Sequence, residues 1–175
     1  MRTLFLIVVL CCTGIAGMTQ DFPRSWEGKW NGEVAVWSPT GKQSSFPMSL
    51  EILPKDSVWT YTIFYGHGRL EQADIREYTL LVLNDSLGHY AVDEHNGILL
   101  DAYYMDDCLY SVFAGMGSQL QSRVCLEGNH LNYEISSFFE EPIRTSGDTI
   151  INTDTIPPIQ SFEVYSLMRA QLFRE

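Results

Sequence analysis

The stretch Trp26-Glu27-Gly28-Lys29-Trp30-Asn31-Gly32 decides how the rest of this chain is read. It follows an N-terminal apolar segment and opens a run of short segments with the two-residue alternation of β-strands. A glycine two residues before a tryptophan, at the head of the first strand of an all-β chain, suggests a barrel closed at one end by a buried indole.

Working outward on the N-terminal side, Arg2 precedes the apolar run Leu4–Cys12, and the small residues Gly14, Ala16 and Gly17 follow. This is the pattern of a secretory signal peptide over residues 1–17, cleaved near Ala16 or Gly17. The run is too short to span a bilayer, and no later run is long or apolar enough, so no transmembrane segment is expected. Leu10 and Cys11 are poor residues to precede an acylated cysteine, which argues against a lipid anchor on Cys11 or Cys12. The expectation is an exported protein, periplasmic or secreted, whose folded part is residues 18–175.

On the C-terminal side the reading is strand and turn throughout. Strands are expected near 29–38, 46–53, 57–65, 69–83, 88–94, 97–105, 107–114, 119–127, 130–139 and 160–173. Trp59, Tyr61, Ile63 and Tyr65 share one face, with Thr60 and Thr62 on the other. Asn96-Gly97, Gly115–Ser118 and Gly128-Asn129 punctuate the pattern as hairpin turns, Asn96-Gly97 as a two-residue type I′ turn. Residues 140–158, ending in Pro157-Pro158, are expected to form the one long loop. The fold expected is a single all-β domain, an antiparallel up-and-down barrel of about ten strands.

Register can be worked out for one hairpin. Symmetric pairing about Gly115–Ser118 places Phe113 opposite Leu120, Ser111 opposite Ser122 and Leu109 opposite Val124. On the other face Tyr110 meets Arg123, and Cys108 meets Cys125, the only two cysteines beyond the signal segment. A cross-strand disulfide follows in an oxidising compartment.

Gly28-x-Trp30, followed by this strand pattern, resembles the calycin superfamily: lipocalins, fatty-acid-binding proteins and their bacterial relatives. The longer Gly28-x-Trp30-x-Gly32 is similar to the opening of nitrobindin-type barrels. The resemblance implies a lipocalin-like barrel in which the Trp plugs the closed end and an Arg of the final strand packs over it. Arg169 is the first candidate for that Arg and Arg174 the second. Haem binding in nitrobindin-like barrels needs an axial ligand inside the barrel. Here His67, His95 and His130 sit in turn settings, His89 faces away from Tyr90 and Val92, and the final strand has no His. No haem, metal or other cofactor is therefore expected.

Eleven basic against 22 acidic residues give a net charge of −11, which removes any general attraction for nucleic acid. The acidic pairs Asp93-Glu94, Asp106-Asp107 and Glu140-Glu141 are adjacent, so on strands their side chains diverge. No nucleophile elbow, zinc-binding helix or phosphate loop occurs, and no catalytic residue is assigned. What remains is binding of a small, largely apolar, lipid-like ligand, lined by Trp59, Tyr61, Ile63, Tyr78 and Phe113. Arg76 and Tyr78, two apart on one strand face, resemble the carboxylate clamp of fatty-acid-binding proteins, although there the pair belongs to the final strand. The alternative is that Arg76 forms a structural ion pair with Glu94 or Asp101, or lies at the barrel mouth. The alternatives are a structural or protein-interaction module whose barrel is filled by its own side chains and, third, a calycin-like isomerase or lyase.

Overall fold

The computed structural model describes residues 21–66 and 73–175. The signal segment, Cys11, Cys12 and His67 lie outside them. A short 3-10 turn (Arg24–Trp26) leads into thirteen strands: β1 (Gly28–Ser38), β2 (Gly41–Ile52), β3 (Pro54–Lys55), β4 (Val58–Tyr65), β5 (Asp74–Asn84), β6 (His89–Asp93), β7 (Leu99–Met105), β8 (Cys108–Gly115), β9 (Ser118–Glu127), β10 (His130–Ser146), β11 (Thr149–Ile151), β12 (Asp154–Ile156) and β13 (Ile159–Arg174). Neighbours run β2-β1-β13-β10-β9-β8-β7-β6-β5-β4, and β4 returns to pair with β2, Leu50 opposite Ile63, closing a ten-strand antiparallel barrel. Among the described residues no helix is long and apolar enough to cross a membrane.

The two-residue period sorts the side chains. Trp30, Val34, Met48, Leu50, Ile52, Leu80, Tyr90, Val124, Leu131 and Leu172 point inward and are almost fully buried. Outward positions on the same strands carry Glu33, Glu51, Thr62, Glu77, Arg123, Glu134, Arg169 and Gln171. This apolar-in, polar-out pattern is the reverse of a lipid-embedded barrel.

The tryptophan end is sealed. Trp30 is 1% exposed, and its indole Nε1 donates to the Trp26 carbonyl oxygen at 2.8 Å. That bond holds the 3-10 turn across the bottom of the barrel. Phe22, just before the turn, stacks on Tyr104 at 4.4 Å and meets Tyr90 edge-on at 4.9 Å, so residues 22–26 act as a plug. Gly32 has a specific cause: a Cβ there would overlap the Gln171 carbonyl oxygen, so only glycine lets β1 and β13 close at this point.

Three expectations need correction. Arg169 does not cover Trp30. It points outward and pairs with Glu134 at 2.6 Å, because the inward parity of β13 runs through Ala170 and Leu172 to Arg174. Arg174 lies 4.3 Å above the Trp30 ring and donates to the Ser25 carbonyl oxygen at 2.7 Å. Residues 140–158 are not one loop: β10 and β13 extend past the barrel as a two-stranded ribbon, and β11 and β12 continue it as a small hairpin. Asn96-Gly97 is not a two-residue turn, since the last pair is Asp93 with Leu99 and the positive-φ residues are His95 and Gly97.

The β8–β9 hairpin has the worked-out register throughout, from Cys108–Cys125 to Gly115–Ser118. A disulfide joins Cys108 and Cys125.

Candidate functional site

Among the described residues, the half of the barrel opposite the plug is open and holds a cavity of about 90 Å³. Its apolar wall comes from Ile63, Val92, Leu100, Ala102, Leu109, Phe113, Val124 and Ile135. Tyr61, Tyr65, Tyr78 and Tyr133 add phenols, Ser111 and Ser122 add hydroxyls across the β8–β9 pair, and Arg76 and Glu94 bring charge to the mouth. The placements follow from parity: Asp74, Arg76, Tyr78 and Leu80 share one face of β5, opposite Tyr65, Ile63, Tyr61 and Trp59 on β4.

Of the six residues singled out from sequence as ligand-lining, Arg76, Tyr78, Tyr61, Ile63 and Phe113 meet around this cavity. Trp59 does not. It pairs with Leu80 and packs against the buried core below the cavity floor. Tyr65, Tyr133, Ser111, Ser122 and Glu94 were not singled out, yet they line it. Their signal was present: Tyr65 lies in the period-two run from Trp59, Tyr133 in the run Leu131, Tyr133, Ile135, and Ser111 with Ser122 in the hairpin register.

The polar groups are internally matched. The Tyr65 and Tyr133 hydroxyls lie 2.7 Å apart and bond to each other. Arg76 Nε donates to Asp74 Oδ2 at 2.8 Å, and its guanidinium lies 5.2 Å from the Tyr65 ring centre. Arg76 thus lies at the mouth, one of the alternatives to a carboxylate clamp, and its ion pair is made with Asp74, two residues away on the same face, and not with Glu94 or Asp101. Asp101 instead accepts from His89 on the outer surface at 2.6 Å, so that pair belongs to the exterior.

Burial pushes the phenols of Tyr61, Tyr65, Tyr78 and Tyr133 above the ordinary tyrosine value. All four are neutral at physiological pH and offer hydroxyl groups rather than bases. Partial burial works against the charge of Arg76, but the hydrogen bond to Asp74 and the surrounding phenols outweigh it and raise its pKa. Among the described residues that line the cavity, the mouth therefore presents one cation, already paired, beside the carboxylates of Asp74 and Glu94.

Among the described residues, no cluster of three His, Cys, Asp or Glu could hold a metal ion. His89, His95 and His130 lie outside the cavity: His95 meets Thr79 at 2.8 Å, and His130 packs near Phe173.

These features define a closed antiparallel barrel with a plugged base and an open lumen lined by phenols and aliphatic groups. No known protein-family model matches the chain, and no curated protein matches it in sequence.

Proposed function

We propose that this is an exported binding protein that takes a compact, largely apolar ligand into the open half of its barrel. The observation that carries this reading is the 90 Å³ lumen itself: an aliphatic and aromatic wall with a few converging hydroxyls, and with the charges of Arg76 and Glu94 at the rim. This is the usual constitution of a small-molecule site. The size narrows the lipid-like ligand expected from sequence. Sites for drug-sized ligands run to roughly 300 Å³ and more. This lumen accommodates a ring or the end of a short chain, with the polar end of the ligand at Arg76 and Glu94. The disulfide fits an oxidising, extracytoplasmic setting.

A specific observation favours a second reading, a barrel filled by its own side chains. Tyr65 with Tyr133, and Arg76 with Asp74, satisfy one another without a ligand. Saturation-transfer NMR decides between the two, with p-cresol as the compact probe and laurate as the long one. The binding reading expects saturable p-cresol binding, lost when Ile63→Trp fills the lumen in a protein that remains folded. Absence of p-cresol binding to the unaltered protein, or binding unchanged by Ile63→Trp, favours the filled barrel.

A further inference from the structure

Most polar groups around the lumen are answered from within the protein. Tyr65 and Tyr133 bond each other at 2.7 Å, Arg76 is held by Asp74, and Tyr78 interacts with Arg76. Glu94 accepts from Asn96 at 3.2 Å, and the Ser111 hydroxyl donates to the Asp101 carbonyl oxygen at 2.7 Å.

Tyr61 is different. It lines the cavity and is 6% exposed, yet its hydroxyl bonds no described residue. Ser122, the other lining hydroxyl without such a bond, is only partly buried. Among the described residues, the one unpaired side-chain atom sealed off completely is Trp26 Nε1, so the Tyr61 oxygen opens onto the cavity. Tyr61 stands four residues before Tyr65 on β4, toward the plug, with Tyr78 beside it on β5.

A proton count sharpens this. Tyr61, Tyr65 and Tyr133 carry three hydroxyl protons, and the Tyr65–Tyr133 bond uses one. The proton of Tyr61 and that of whichever phenol accepts in the pair remain to be donated. The three phenols are near enough for Tyr61 to feel charge on Tyr65, and Tyr133 to feel charge on Tyr61.

On the binding reading above, we propose that the buried end of the ligand is a neutral carbonyl group whose oxygen accepts from Tyr61 and from the spare proton of the Tyr65–Tyr133 pair. The ligand class is then a compact ketone, aldehyde or lactone. A carbonyl oxygen has two lone pairs for the two donors. A carboxylate does not suit this end, because the one cation among the described lining residues is Arg76, at the mouth and already paired, and a buried charge without a counter-ion is costly. A purely apolar end leaves the Tyr61 hydroxyl buried without a partner, which is how polar sites reject analogues that lack the matching group.

The test compares cyclohexanone with methylenecyclohexane, which differ by one oxygen for one CH₂, each competing against p-cresol in saturation-transfer NMR. In Tyr61→Phe the preference for the ketone over the alkene should fall by about twofold to tenfold, the worth of one hydrogen bond. Tyr78→Phe removes a phenol at the mouth and should leave that preference unchanged. Tyr61→Phe breaks no bond to a described residue, so the variant should keep the parent's circular dichroism. Infrared spectra of the bound ketone give a second readout on the unaltered protein: its carbonyl stretch should lie at a hydrogen-bonded frequency, moving to higher wavenumber in Tyr61→Phe. Both compounds binding with the same preference in parent and Tyr61→Phe overturns the carbonyl site and leaves the binding reading standing. A bound carbonyl absorbing at its frequency in cyclohexane, or an equal loss of preference in Tyr78→Phe, overturns the site likewise. Binding of neither compound, nor of p-cresol, removes the binding reading and the carbonyl site together.

Discussion

Replacing Arg174 and Arg169 in turn by alanine separates two roles that look alike in sequence. Arg174 stacks on Trp30 at 4.3 Å and donates to the Ser25 carbonyl oxygen at 2.7 Å, tying the final strand to the plug. A cation–π contact at a largely exposed position is worth about 0.5–1 kcal/mol. A charge-assisted hydrogen bond adds about 1.5 kcal/mol. Arg174→Ala should therefore cost about 2 kcal/mol. Arg169 makes a surface ion pair with Glu134 in which its own side chain is 61% exposed, so Arg169→Ala should cost no more than about 1 kcal/mol. Urea unfolding with the disulfide intact, followed by tryptophan emission, reads both changes. With a slope of about 2 kcal/mol/M, the midpoint falls by about 1 M for Arg174→Ala and by no more than about half that for Arg169→Ala. Pairing Arg174→Ala with Trp30→Phe in a double-mutant cycle should give a coupling of at least about 0.5 kcal/mol. The reasoning is refuted if Arg169→Ala costs as much as Arg174→Ala, or if the cycle shows no coupling.

Further outcomes follow from other parts of the barrel. Gly32→Ala should be among the most damaging single-methyl additions, since the new carbon overlaps the Gln171 carbonyl, whereas Gly115→Ala meets open space and should melt close to the parent in a thermal scan. Replacing Cys108 and Cys125 by serine removes a link between residues 17 apart in sequence and should cost about 3 kcal/mol in the chain-entropy treatment, measured by denaturant titration of both forms. Tyr61, Tyr65, Tyr78, Tyr90, Tyr104 and Tyr133 have phenol pKa values raised on folding, chiefly by burial. Their neutral forms are the folded forms, so this contribution is complete below about pH 10 and is lost as pH climbs through the raised values. Absorbance at 295 nm should show these six ionising together with alkaline unfolding; six phenolates forming near pH 10 in protein that keeps its native circular dichroism would contradict the burial assigned to them.

The ten barrel strands were legible because each has one buried face, and burial writes a period of two into the sequence. The β8–β9 hairpin went further: its turn fixes the register, and with it the Cys108–Cys125 pairing and the Ser111–Ser122 pair in the lumen. The ribbon was hidden for the same physical reason. Neither of its faces is buried, so Glu140–Ser146 shows no alternation, and Pro157-Pro158 looks like the end of a loop. Arg169 and Arg174 are separated only by parity along β13, which depends on the register against β1 and β10, and no local pattern encodes that. Asp74 was missed because the start of β5 reads equally well as a bend. Trp59 was placed on the correct face but at the wrong depth, since alternation gives side and not height.

The seam between β1 and β13 has a consequence for how the barrel comes together. Arg174 reaches Ser25 across a sequence separation of 149 residues, and every pair from Trp30–Arg174 to Trp37–Leu167 is comparably remote. Local hairpins such as β8–β9 can form early, while β1 waits for a partner made much later in synthesis, with the entropy of the intervening loop to overcome. Until β13 arrives, β1 carries an unpaired edge and Trp30 has neither its guanidinium cover nor a closed base. Ring closure is thus the natural late step of folding, and a chain interrupted anywhere before β13 should persist as an open, association-prone sheet.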